Sequence, residues 1–147
     1  MSNKMTLNKY KNYLTMIEAL PGSQLFQHLY LVDENGQEID ATKGGDLSCA
    51  LVVSWILHGF GWIDSPHATV NSTLKAMVEH GWRETSEPKP GDVVHWPPNH
   101  HGIAHVGFYL GDGKFISNND EAKTPILHDE IHYGNPPDAF YTREYDV

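Results

Sequence analysis

The sequence predicts an α+β fold in which a buried helix packs on an antiparallel β-sheet, and two observations carry that reading. Helical periodicities fill the first half of the chain and short β patterns fill the second, the order of α+β domains rather than of alternating βα units. Between 47 and 60 only Ser48, Ser54 and His58 are appreciably polar, and a helix apolar on nearly every side must be buried.

Leu7, Tyr10, Leu14 and Ile17 recur at three- and four-residue spacings and predict an amphipathic first helix that ends at Pro21-Gly22. Segments 29–32 and 37–40 flank Asp33-Glu-Asn-Gly36 as a hairpin. Gly44-Gly45-Asp46 breaks the chain before the apolar helix at 47–60. Another helix runs from about 72 to 80, with Leu74, Met77 and Val78 inward and Gly81 at its stop. After the turn at 88–92 come β segments at 93–96, 105–110 and 114–117, and an extended stretch ending in Ala139-Phe-Tyr141. With no linker, repeat or low-complexity segment, the expectation is a single domain over 1–147: an N-terminal helix and hairpin at 1–45, and a core carrying the chemistry at 46–147.

Charge narrows the partners. Ten basic side chains stand against 19 acidic ones, for a net charge of −9, so nucleic acid and anionic membrane surfaces are repelled. No apolar run reaches the roughly 18 residues of a bilayer span. The first ten residues hold no uninterrupted apolar stretch, so they do not read as a secretory signal. The expected location is the cytoplasm, or outside by a route this sequence does not encode. One Cys allows neither an internal disulfide nor a multi-thiolate zinc site.

That cysteine, Cys49, falls in the first turn of the apolar helix, with Asp46 or Ser48 as its cap. Unpaired N–H groups and the helix dipole there favour a thiolate, so a lowered thiol pKa is expected. The same N–H groups can receive an oxyanion formed in acyl transfer. The thiol needs a base, and the base needs an orienting group. His105 opens a strand that enters the turn Gly111-Asp-Gly113. A hairpin centred on Gly111 sets His105 opposite Ser117, on one face with Asn119, while Asn118 points the other way. His128 is the next group to consider as orienter.

Three segments resemble the NlpC/P60 cysteine peptidases. Asp46-Leu-Ser-Cys-Ala-Leu-Val-Val-Ser-Trp-Ile-Leu57 is similar to that family's nucleophile helix. Lys89-Pro-Gly-Asp-Val-Val94 resembles its turn and strand, and His105-Val-Gly-Phe-Tyr-Leu-Gly-Asp-Gly-Lys-Phe-Ile116 its histidine strand. The resemblance implies a papain-like fold that hydrolyses peptide or amide bonds, typically in bacterial cell-wall peptides, with Cys49 and His105 as the catalytic pair. The third catalytic position, usually His in the family, falls on Ser117, so Asn118 or Asn119 enters as an alternative orienter. Two residues separate Asp46 from the cysteine where the family has them adjacent, and Ala50 stands where Ser is usual. These departures mark a divergent member.

The rival for the histidines is a metal site. His95, His100, His101 and His105 crowd one stretch, but without a helical i, i+4 pair. A hydrated loop beside the cleft, stiffened by Pro97-Pro98, is the preferred reading, and neither metal nor cofactor is expected. His58, His67 and His80 read as packing or surface positions. The expected activity is a cysteine hydrolase working through a Cys49 acyl-enzyme, with a peptide or peptidoglycan fragment as substrate. The alternatives are an acyltransferase using the same pair and a non-catalytic binding module on the same fold. Nothing in the sequence sets an oligomeric state.

Overall fold

Helix α1 (Lys9–Glu18) begins where the Asn8 side chain accepts the Lys11 N–H at 3.0 Å, a cap that satisfies one otherwise unpaired donor. The computed structural model describes residues 3–45, 47–130 and 134–147. Capping at Asn8 leaves Leu7 outside the helix and exposed, contrary to its expected inward position, and Tyr13 and Ile17 form the buried face. Strands β1 (Tyr30–Val32) and β2 (Glu38–Asp40) pair antiparallel, Tyr30 with Asp40 and Val32 with Glu38. Asp33 closes their turn by accepting the N–H groups of Asn35 and Gln37.

Asp40 organises the loop that leaves β2. Its carboxylate accepts from His28 Nδ1 at 2.7 Å, from the N–H groups of Leu29, Thr42 and Gly44, and from the Thr42 hydroxyl. These donors, His28 foremost, hold its carboxyl well below the usual carboxylate range. The loop so fixed leads into helix α2 (Cys49–Gly59), whose Ala50, Leu51, Val52, Val53, Ser54, Ile56 and Leu57 are buried. The Ser54 hydroxyl accepts the His67 N–H at 2.8 Å and donates to the His67 carbonyl, tying the next connection to α2.

Helix α3 (Val70–Glu79) is capped by the Thr69 hydroxyl, which accepts from Ser72 N–H. It starts earlier than the sequence suggested and turns Thr73, Ala76 and Met77 inward; Val78 is exposed, about 100° around the helix from Met77. Gly81 takes φ 93° at the stop, as expected of a left-handed terminator.

The sheet comprises β3 (Arg83–Glu84), β4 (Val93–Trp96), β5 (His105–Gly111), β6 (Lys114–Asn119), β7 (Thr124–His128) and β8 (Ala139–Thr142), ordered β3-β8-β4-β5-β6-β7. All its pairings are antiparallel, so the mixed helix and sheet composition expected of an α+β fold is realised. Two strands escaped the sequence reading. β3 is only two residues long, and β7 carries Pro125, a residue tolerated because β7 lies at the sheet's edge.

The sheet has two unlike faces. Val93, Val106, Phe108 and Ile116 face α2 and α1 in one core with Leu51, Leu57, Tyr13 and Ile17. Val94, Trp96 and Phe115 form a smaller cluster on the other face with Tyr109 and Phe140. Burying each such side chain is worth about 1.5–3 kcal/mol, so α2 is clamped to the strands that carry His105 and Asn118. No helix among the described residues is long and apolar enough to cross a membrane.

Candidate active site

Cys49 is the first residue of α2 and is half-buried. The expected cap is not made. Ser48 occupies the N-cap with α-region backbone and no side-chain cap bond; its hydroxyl is buried with no hydrogen-bond partner among the described residues. Asp46, the other capping candidate, lies outside the described residues. The backbone N–H groups of Val106 on β5, then Ala50 and Cys49, act on the thiol in the direction that favours a thiolate.

These donors do not lower the thiol pKa as the sequence reading expected. Burial pushes the Cys49 thiol up to about 11, and the N–H groups of Val106, Ala50 and Cys49 offset only part of that. The reason is one of magnitude: a helix end carries about half an elementary charge, whereas removing water from around a thiolate penalises the full charge. The resting group is therefore a thiol.

The β5–β6 hairpin corrects the register proposed from sequence. Its turn is Asp112-Gly113, with φ of 53° and 71°, and Gly111 pairs with Lys114. This is the left-handed pair of a two-residue hairpin loop, not a turn centred on Gly111. A shift between Tyr109 and Gly111 leaves Leu110 as a bulge, after which Tyr109 faces Phe115 and Phe108 faces Ile116. Ser117 therefore lies level with Gly107 rather than with His105. The approach there is close: a Cβ on Gly107 would stand 2.6 Å from Ser117 Cβ and 2.7 Å from the Ile116 carbonyl oxygen.

The candidate orienting residues separate accordingly. Ser117 is bonded to His128, Oγ to Nε2 at 2.6 Å, while His128 Nδ1 donates to the Asp129 carbonyl at 2.6 Å. That donation leaves Nε2 as the acceptor, so the Ser117 hydroxyl is the donor. Burial lowers the His128 pKa, which favours this neutral form. Asn118 is buried on the α2 side and donates Nδ2 to the Gly45 carbonyl at 2.9 Å, tying β6 to the loop before Cys49. Asn119 accepts the N–H groups of Glu121 and Ala122 and so belongs to the turn after β6. The expected contact of Ser117 with the His105 imidazole is replaced, among the described residues, by its bond to His128.

His105 is buried and sits across from Trp96 in the β4–β5 ladder, ring centroids 5.3 Å apart. The Trp96 indole also lies 5.6 Å from His128 and donates to the Glu130 carbonyl. Cys49, His105 and Asn118 line one cleft of about 570 Å³, together with the start of α3 and the loop 98–104. In that loop Asn99 accepts the N–H groups of His101 and Ile103, and the His100 and His101 rings lie 4.0 Å apart. His95 leaves the histidine group by pairing with Asp138 at 2.6 Å. No three His, Cys, Asp or Glu among the described residues are grouped to hold a metal ion.

The sequence reading missed Gly107, the Val106 N–H and Trp96 as parts of this site. Asp112-Gly113 was the signal for the first: taken as a two-residue turn, it moves Gly107 toward Ser117.

Compared with protein families, the chain matches the NlpC/P60 family over residues 46–135, more than half of its 147 residues. The chain belongs to the NlpC/P60 family, and its mixed helical and antiparallel architecture is that papain-like α+β fold. Members of this family are generally cysteine peptidases or amidases that act on peptidoglycan peptides. None of the curated proteins compared with the chain matches it significantly.

Proposed function

We propose that the protein is a cysteine hydrolase cleaving an amide or peptide bond in a cell-wall-type peptide, with Cys49 as nucleophile and His105 as general base and acid. One observation carries the reading: Cys49 is the first residue of α2 and lines the same cleft as His105.

Because Cys49 rests as a thiol, attack and deprotonation go together. The sulfur bonds to the scissile carbonyl carbon as the imidazole takes its proton, and first-turn N–H groups stabilise the oxyanion. The imidazolium then protonates the leaving nitrogen as the C–N bond breaks, which gives an acyl-enzyme and a free amine. Water completes the cycle: its proton passes to His105 as its oxygen bonds to the acyl carbon, and the imidazolium returns that proton to sulfur as the C–S bond breaks, giving a carboxylic acid and the resting thiol.

The elevated Cys49 pKa is also what a binding module that had lost catalysis would show, so that reading stays as the second. Mass spectrometry after incubation with muropeptides separates the two. The hydrolase releases a new amine and carries a transient acyl adduct on Cys49. Cys49→Ala and His105→Ala should each lower turnover about a thousandfold or more while the fold persists. An unchanged muropeptide profile with wild-type protein, and no adduct, would leave the binding module.

A further inference from the structure

The catalytic cleft has an uneven chemistry. Leu47, Val70, Pro98 and Ile103 give it apolar walls, and Asp120 is a carboxylate on its lining. None of the described residues that line it is Lys or Arg. The residues outside the described set, Met1, Ser2, Asp46, Ile131, His132 and Tyr133, include no Lys or Arg either. The basic side chains among its described lining residues are the imidazoles of His100, His101 and His105. The whole chain, at net charge −9, adds a repelling field to any anion that approaches.

Cell-wall stem peptides in free-acid form carry several carboxylates. A carboxylate drawn into a partly dry, apolar cleft loses hydration that only a cation or several donors restore. A carboxamide of the same shape keeps its hydrogen bonds and carries no charge. We infer that the cleft takes a substrate whose residues flanking the scissile bond are uncharged, so that an amidated stem peptide is cleaved in preference to its free-acid form. This rests on the hydrolase reading above and names the substrate class within it. The selection arises on a lining that includes Val70 and Ile103 and, among the described residues, neither Lys nor Arg.

The test uses two synthetic stem peptides that differ only in a glutamyl carboxyl, free acid in one and carboxamide in the other, assayed at pH 8 with the full chain. The amidated peptide should be cleaved with kcat/KM about tenfold or more higher, the size expected of an uncompensated charge in such a site. Ile103 is half-exposed, so Ile103→Lys places a cation on the wall without emptying the core. The ratio of amide to acid turnover should then fall toward one or invert. An equal or higher kcat/KM for the free acid in the wild type overturns the inference, as does a ratio that Ile103→Lys leaves unchanged. Should neither peptide be cleaved, the hydrolase reading fails by itself. Calorimetric binding to Cys49→Ala then decides the selection: tighter binding of the amidated peptide supports it, and equal binding, tighter acid binding or no binding of either overturns it.

Discussion

Next to its turn, the β5–β6 hairpin obeys ordinary pairing rules. Asp112-Gly113 supplies the left-handed turn, Leu110 forms a bulge, and Tyr109–Phe115 and Phe108–Ile116 sit in register. Next to the cleft the same two strands behave differently. The register pairs between them end at Phe108–Ile116. Gly107 lies close against Ser117, and the Val106 N–H is the foremost donor acting on the Cys49 thiol. The regular half builds stability from cross-strand packing. In the irregular half β5 keeps its pairing with β4 through His95 and Val106, while its register pairs with β6 stop short of the cleft. The difference teaches where to look: chemistry lies where the ladder stops and the side chains on either side remain buried.

The largest effect should come from the thiol that this irregular half surrounds. With Cys49 pushed up to about 11, the thiolate fraction rises about tenfold per pH unit below that value. Alkylation by iodoacetamide should therefore keep climbing from pH 7 to 10, a rise of about a thousandfold in all. A rate that levels off below pH 8.5 would show that Val106 and the α2 donors outweigh burial, with the thiolate already formed at rest.

Gly107→Ala comes next, because it tests the close approach directly. The new methyl meets the Ile116 carbonyl at 2.7 Å and the Ser117 Cα at 3.3 Å, backbone atoms that no rotamer change can move aside. Overpacking of this kind costs about 1–3 kcal/mol, and the displaced β5 should carry the Val106 N–H away from sulfur. Loss of turnover beyond the loss of stability is expected, measured by activity and denaturant midpoint together. Gly113→Ala, in the regular half, has open space around it but a φ of 71°. It should lower stability by about 1 kcal/mol and leave activity per folded molecule intact. Equal effects at the two glycines would break the comparison.

Asn118→Ala probes the bridge between the hairpin and the nucleophile loop. Its bond to the Gly45 carbonyl is buried, so removal should cost about 1–3 kcal/mol through the unsatisfied carbonyl. Thermal melts should show this, with turnover falling as the loop before Cys49 loosens. An unchanged melting temperature would mean that Asp40 alone, with the five hydrogen bonds it accepts, holds that loop.

Much of this fold was legible in the sequence. The apolar run from 47 to 60 announced α2 because a helix without a polar face has one place to go, and the strands around Val93, His105 and Lys114 were legible as short β segments between turns. The cleft's other features depend on three-dimensional detail that periodicity does not encode. Desolvation of Cys49 comes from its packing against the core, which its place in the helix sequence does not reveal. Ser117 changed partner because the turn is centred between Asp112 and Gly113 instead of on Gly111, a shift that the bulge at Leu110 only partly offsets. β7 was hidden by Pro125, yet it brings His128 to Ser117.

His128 offers the smallest and most selective prediction. It accepts the Ser117 hydrogen only while neutral, and burial lowers its pKa below the ordinary imidazole value. A histidine whose folded pKa is depressed binds fewer protons folded than unfolded near that value. Stability is thus fully present above the unfolded pKa of about 6.5 and is lost progressively as pH falls below it. Wild-type melting temperature should drop between pH 7 and 5, and His128→Gln, which offers Ser117 an uncharged acceptor, should flatten that part of the profile. Ser117→Ala removes the donor but leaves the burial, so it should lower stability at pH 8 by about 1 kcal/mol while keeping most of the acid-side slope. Since Ser117 lies level with Gly107 rather than His105, its loss should cost turnover only a few-fold, less than Gly107→Ala. A loss from Ser117→Ala as large as that from His105→Ala would put the hydroxyl back on the imidazole and extend the irregular, functional half of the hairpin to include β7.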